Sequence, residues 1–339
     1  MLRLPEFTLH RPKSVRDAVA IMSEHGALAR FVAGGTDLYP NMKRRVQQPM
    51  QVISLQNVSE LHEVSGSPET GLDVGAMVTL RHLETDPVVA EHYPGVQHAA
   101  EVISTPLLRN MGTIGGNLLL DTRCNYYDQS FEWREGVNFC MKCDGDTCWV
   151  APSSPRCWAV QSSDSVPLLA AMGVEVTLVG PEGERRIPLP QLYQDDGIDY
   201  TTKKHEELLT KVHLPAVGNW RATYKKLRRR DTFDFPVLGV GACLWFDGDL
   251  CEKAEIYIGG AGSWAMRAQE ACELLEGKPL KDGEPATREL LEAAGLTAFK
   301  PTRTMDNTDH EVAWRKKMAP IFVRRALEEC LRGEVATTR

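Results

Sequence analysis

Five of the nine cysteines in this 339-residue chain fall between Cys124 and Cys157, while Cys243, Cys251, Cys272 and Cys330 are scattered. So dense a run restricts its stretch of chain. The sulfurs either share a site or are buried singly as small hydrophobes. The N-terminus, Met1-Leu-Arg-Leu-Pro-Glu, lacks a signal-peptide core, so the expected compartment is the cytoplasm, where disulfides are rare. The spacing is C-x15-C-x2-C-x4-C-x8-C. Four thiolates are the usual complement of a [4Fe–4S] cluster or a structural zinc ion, and five cysteines compete here for four places. A zinc ribbon needs its C-x2-C pair twice and finds it once, which favours iron–sulfur. Tyr126, Tyr127, Phe131, Trp133, Phe139, Trp149 and Trp158 offer a dry shell around such a site.

Around this segment the chain reads as ordinary globular protein, with 42% apolar and 25% charged residues. Its net charge of −7 gives no footprint for nucleic acid or an anionic membrane surface. No apolar run approaches the ~20 residues of a membrane span. Residues 14–25 carry apolar side chains at helical spacing behind Ser14, a candidate N-cap. Strands are expected at 31–33, 51–55, 72–76, 174–179, 184–187 and 208–214, and helices at 38–45, 93–100, 102–110 and from Ser165. Beyond Trp220, alternating strands at 221–227, 237–246 and 251–258 precede helices at 265–275, 287–299 and 312–331, and 336–339 read as a frayed end.

Two diglycine turns stand out. Gly34-Gly35-Thr36-Asp37 follows an apolar strand, and Thr113-Ile114-Gly115-Gly116-Asn117 repeats its chemistry. Glycines admit close approach of a ligand, and successive N–H groups suit phosphate oxygens. Two such turns suit a diphosphate gripped from two sides. Neither matches a Rossmann or P-loop pattern.

Phe31-Val-Ala-Gly-Gly-Thr-Asp-Leu38 together with Gly112-Thr-Ile-Gly-Gly-Asn117 resembles the FAD-binding medium subunits of the molybdenum hydroxylases, the xanthine dehydrogenase family. Further matches are 207–215, the stretch Tyr224-Lys225-Lys226-Leu227 with Arg229, Asp231 and Phe235-Pro236, and Ile258-Gly-Gly-Ala261 before Arg267. The resemblance implies an α+β fold. A two-part FAD-binding domain of the vanillyl-alcohol oxidase (PCMH) type would comprise 1–56 and 57–218, and an α+β C-terminal domain with a three-stranded antiparallel sheet would span 219–334. It places FAD on Ala33, Gly34, Gly35, Thr36, Asp37 and Leu38, then on Thr113, Ile114, Gly115, Gly116, Asn117 and Asp121. Leu209 and Lys225 would lie by the isoalloxazine ring, where a cation stabilises the reduced ring.

The path 122–161 is longer than medium subunits usually carry. With Leu120-Asp-Thr-Arg-Cys124-Asn-Tyr-Tyr127 it is similar to the β subunits of 4-hydroxybenzoyl-CoA reductases, a branch of that family. That likeness implies a [4Fe–4S] cluster on Cys124, Cys140, Cys148 and Cys157, with Cys143 spare. The chain would have no catalytic residue of its own. It would pass electrons from ferredoxin through [4Fe–4S] and FAD to two [2Fe–2S] clusters on a small partner subunit. Molybdenum on a large molybdopterin subunit would follow, in an (αβγ)2 complex without nucleic acid or membrane. Two alternatives stand beside this. One is a hydroxylating dehydrogenase of aromatic or N-heterocyclic substrates, and the other is a FAD scaffold with structural zinc.

Overall fold

The computed structural model describes residues 2–230 and 232–333; Asp231 and the end 336–339 lie outside the described residues. Three parallel strands open the chain: β1 (Thr8–His10), β2 (Ala29–Val32) and β3 (Gln51–Ser54), in the order β1-β3-β2. Between β1 and β2 runs helix Val15–His25, capped as expected by the Ser14 hydroxyl, which accepts from the Asp17 amide at 3.1 Å. Such a cap contributes about 1 kcal/mol. Strand β1 was not foreseen, because three residues carry too little alternation to register.

A five-stranded antiparallel sheet follows, built from β4 (Val64–Ser67), β5 (Gly71–Gly75), β6 (Glu175–Gly180), β7 (Gly183–Pro188) and β8 (Leu208–Leu214) in the order β4-β5-β8-β6-β7. The central strand β8 is buried at every position but Lys211, as its apolar run requires. A long helix expected over 102–110 is only the single turn Pro106–Arg109. Ser104 sits at φ +51° and extended Thr105 caps the turn ahead of Pro106, so the preceding chain is kept out of a helix.

The C-terminal sheet comprises β9 (Trp220–Leu227), β10 (Leu238–Asp247), β11 (Leu250–Gly259), β12 (Met266–Arg267) and β13 (Lys278–Pro279). The three expected antiparallel strands are present, and two-residue strands extend the sheet. Because Met266 and Arg267 pair with β11, the helix expected from 265 starts at Gln269. Leu238, Val240 and Ile256 face Leu291, Phe322 and Val323 of the covering helices. Against the other face lies helix Ser165–Ala171, every residue of it buried. It comes so close that a Cβ on Gly241 would sit 2.2 Å from the Pro167 backbone. Tyr224 and Cys243 of this sheet share one core with Leu168 and Val176.

Candidate functional site

Strand β2 ends in the first diglycine turn. A Cβ on Gly34 would lie 1.7 Å from the Met111 carbonyl oxygen, and Gly35 holds φ +73° with the Tyr39 ring against it, so neither position admits a side chain. No acceptor within the described residues takes the amides of Gly34, Gly35, Thr36, Asp37 or Leu38. Five successive N–H groups therefore stand free along a cleft of about 730 Å³. That volume lies within the roughly 300–1,000 Å³ of small-molecule sites.

The second turn is built differently. The Ile114 amide donates to the Val78 carbonyl at 3.0 Å, Gly115 to Ala76 at 2.9 Å, and Gly116 to the Thr113 hydroxyl at 3.0 Å. The expectation that both turns offer amides to a ligand is thus corrected. Here the turn is stitched to the chain before helix Leu80–Thr85, and the amides of 114–116 are engaged within the protein. Thr113, Gly115, Gly116 and Asn117 line the cleft, whereas Ile114 points into the core. Asn117 Oδ1 accepts from Ser163 Oγ at 2.7 Å and from the Ser165 amide at 3.3 Å, which ties the turn to the buried helix.

Ala33 to Leu38, Asp121 and Leu209 line the same cleft. Lys225 does not, and its expected place is corrected: its ammonium pairs with the buried carboxylate of Glu329 on helix Val312–Arg332. Strand alternation sends Lys226 the other way. Lys226 pairs at 3.0 Å with Asp164, a cleft residue that also accepts from the Tyr224 hydroxyl at 2.8 Å. Burial pushes the Asp164 carboxyl up and the Lys226 ammonium down, while their attraction opposes both shifts.

Sequence reasoning missed several cleft residues. Arg123 lies between Asp37 (3.3 Å) and Asp128 (3.2 Å), with its guanidinium 4.1 Å from the centre of the Phe235 ring. Burial lifts Asp37 to about 6 in spite of Arg123. Lys203 donates to the carbonyls of Lys204 and Glu207, both at 2.8 Å, and burial lowers it to about 8. The Arg123–Asp37 pairing spans 86 positions and the Lys203 acceptors are backbone carbonyls, so neither leaves a pattern of side chains to read.

The segment 122–161 forms a flap whose two ends close on each other, Arg123 and Val160 exchanging backbone hydrogen bonds of 2.8 and 2.7 Å. Asn138, Phe139 and Asp144 hold left-handed backbone around Cys140 and Cys143. This conformation is unusual for a bulky residue such as Phe139 and marks a constrained loop. Cys124, Cys140, Cys148 and Cys157 are all buried. Cys124 feels both Cys140 and Cys148 electrostatically. The Cys157 thiol donates to Cys148, and that bond holds Cys148 low and raises Cys157. The Ala151 amide donates to the Cys148 carbonyl at 3.0 Å. Cys143 is only half-buried and engaged elsewhere: the fully buried Arg134 guanidinium donates to its sulfur at 3.0 Å, and Asp144 lies 3.3 Å away. Among the described residues, no three His, Cys, Asp or Glu side chains are drawn together tightly enough to hold a single metal ion.

The free amides, the close-approach glycines and the volume of the cleft suit a dinucleotide carrying a diphosphate. Comparison with known proteins agrees. The FAD-binding domain of molybdopterin dehydrogenases matches residues 5–217, and the CO dehydrogenase flavoprotein C-terminal domain matches 222–330. The carbon monoxide dehydrogenase medium chain of Afipia carboxidovorans is 30% identical over 95% of this chain and 96% of its own. The nicotinate dehydrogenase FAD-subunit of Eubacterium barkeri is 25% identical over 82% of each. Reconstituted CO dehydrogenase from Oligotropha carboxidovorans superposes with a TM-score of 0.78 at 27% identity, over 98% of this chain and 100% of the matched one.

Proposed function

We propose, from the premise that this chain belongs to the FAD-binding medium subunits of the molybdenum hydroxylase family, that it is the electron-relay subunit of a multi-chain molybdenum dehydrogenase. The observation that carries this is the row of unengaged amides from Gly34 to Leu38 along the cleft. FAD bound there would supply two-electron storage with release one electron at a time. The Gly34–Leu38 amides would hold its diphosphate, and Thr113, Gly116 and Asn117 would form the opposite wall. Leu209 offers the ring an apolar surface. Asp164, neutralised by Lys226, keeps an uncompensated charge off the cleft wall.

On this reading substrate reacts on a large molybdopterin chain, and a small chain with two [2Fe–2S] clusters joins it to the flavin, in an (αβγ)2 complex in the cytoplasm. Electrons would flow outward from an aromatic or N-heterocyclic substrate. The likeness to a nicotinate dehydrogenase subunit supports that class.

The flap favours a second reading within the same family, the 4-hydroxybenzoyl-CoA reductase branch. There electrons would run inward from ferredoxin to an aromatic thioester. Cys124, Cys140, Cys148 and Cys157 fit a [4Fe–4S] cluster in number and burial, and Cys143 is engaged with Arg134 and Asp144. The cluster would supply single-electron transfer. Structural zinc on the same four sulfurs is the competing outcome, and metal content separates the two.

The test is the anaerobically purified complex, assayed for flavin, iron, acid-labile sulfide and zinc, with turnover followed in both directions. One FAD per medium chain is the expected result, and its absence defeats the relay reading. Iron beyond the small chain's share supports the flap cluster, whereas zinc without that iron defeats it. Ferredoxin-driven reduction separates the reductase from the outward-flowing dehydrogenase.

A further inference from the structure

Lys142 lies inside the thiol flap, between Cys140 and Cys143, yet its side chain leaves the flap and lines the flavin cleft. It is only 6% exposed. Its ammonium donates to Asp121 Oδ1 at 2.8 Å, to Thr122 Oγ1 at 2.5 Å and to the Gly197 carbonyl at 2.7 Å. A lysine has three N–H donors, and here three acceptors meet them. The rings of Tyr127 and Tyr200 stand 4.9 and 5.6 Å from the nitrogen, close enough to favour a cation.

Each of these partners also belongs to one of the two neighbouring sites. Asp121, Tyr127 and Tyr200 line the cleft. The Tyr127 hydroxyl donates to Asp121 Oδ2 at 2.9 Å, and its amide donates to the Cys124 carbonyl. Gly197 donates its amide to the Cys157 carbonyl at 3.0 Å, and a Cβ on it would meet the Cys157 sulfur at 2.7 Å. A single buried ammonium therefore pairs with the cleft wall at Asp121 and, through Gly197, stands one residue from Cys157.

We propose that Lys142 is a positioning residue that latches the cysteine flap onto the flavin cleft and sets a positive charge between the two redox sites. This rests on the flavin and flap-cluster readings above. A cation in a shielded site stabilises the reduced, more negative form of any neighbouring centre. Asp121 opposes it, so the two residues tune both sites in opposite senses. A latch acting through packing alone has no such sign.

The experiment measures midpoint potentials of flavin and flap cluster by anaerobic titration of the assembled complex, with flavin and iron content determined alongside. Lys142→Met should lower both potentials while flavin is retained. Lys142→Arg keeps the charge without the tetrahedral match to three acceptors, so it should restore the potentials while melting earlier than the parent. Asp121→Asn should raise both. Unchanged potentials in Lys142→Met, or shifts of the same sign in Lys142→Met and Asp121→Asn, overturn the proposal. Should Lys142→Met fail to assemble, the sign in Asp121→Asn decides: upward supports it, and no shift or a downward one overturns it. Should the parent complex lack flap iron, the cluster reading fails by itself, and the flavin potential alone passes judgement on Lys142 by the same signs.

Discussion

The two diglycine turns carry nearly the same letters and play different parts. At Gly34-Gly35 the backbone leaves five N–H groups without acceptors, and the glycines clear a path for the Met111 carbonyl and the Tyr39 ring. At Gly115-Gly116 the amides are engaged with Val78, Ala76 and the Thr113 hydroxyl. One turn presents donors, and the other presents a smooth wall held in place from behind. The difference arises from what lies upstream. The first turn leaves a parallel strand end, where nothing bonds the next amides. The second returns beside 76–80, whose carbonyls capture them.

The sharpest way to break this contrast is Gly34→Ala. A methyl 1.7 Å from the Met111 oxygen forces the first turn to move, so flavin should be absent from the purified chain by absorbance while circular dichroism stays native. Flavin retained at parental level would show that the amide row is not the grip.

A smaller effect sharpens the electrostatic side of the first turn. Burial raises Asp37 from 3.8 to about 6, so the folded chain binds its proton more tightly than the unfolded chain does. Its contribution is full below pH 3.8 and lost as pH rises through 6, amounting to as much as about 3 kcal/mol. Urea unfolding of flavin-free protein should therefore show this loss between pH 4 and pH 7.5, and Asp37→Asn should remove that part of the slope. An identical slope in the variant would count against a buried, proton-holding Asp37.

The smallest effects belong to the second turn. Thr113→Ala removes a cap and should cost about 1 kcal/mol of stability with flavin affinity nearly intact. Gly116→Ala meets only the Thr113 hydroxyl at 3.1 Å and Ala33 at 3.7 Å, so fluorescence titration should show affinity within a few-fold of the parent. A large affinity loss in either would erase the distinction between the turns.

Much of this was legible in the residues. Strand Leu208–Leu214 and the Ser14 cap lie where the sequence puts them, because each is governed by its own neighbours. The roles of the two turns were not separable, since only tertiary pairing decides whether an amide is engaged. Lys225 and Lys226 exchanged places because a strand flips faces at every residue, and sequence alone did not fix which face meets the cleft. Arg123, Lys142 and Lys203 escaped notice because their partners lie far along the chain or are backbone carbonyls. The scattered Cys243, Cys251, Cys272 and Cys330 are plain apolar filling of the C-terminal half, with thiols raised by burial.

Helix Ser165–Ala171 is covered on one side by the flavin half and on the other by β10 and β11, with Gly241 and Gly259 letting Pro167 settle onto the sheet. Each half supplies the roof of the other's interior. Neither is free to swing about the junction near 218, and heat or denaturant should dismantle the two together instead of peeling one away. Whatever occupies the cleft is thereby held at a fixed distance from the C-terminal sheet.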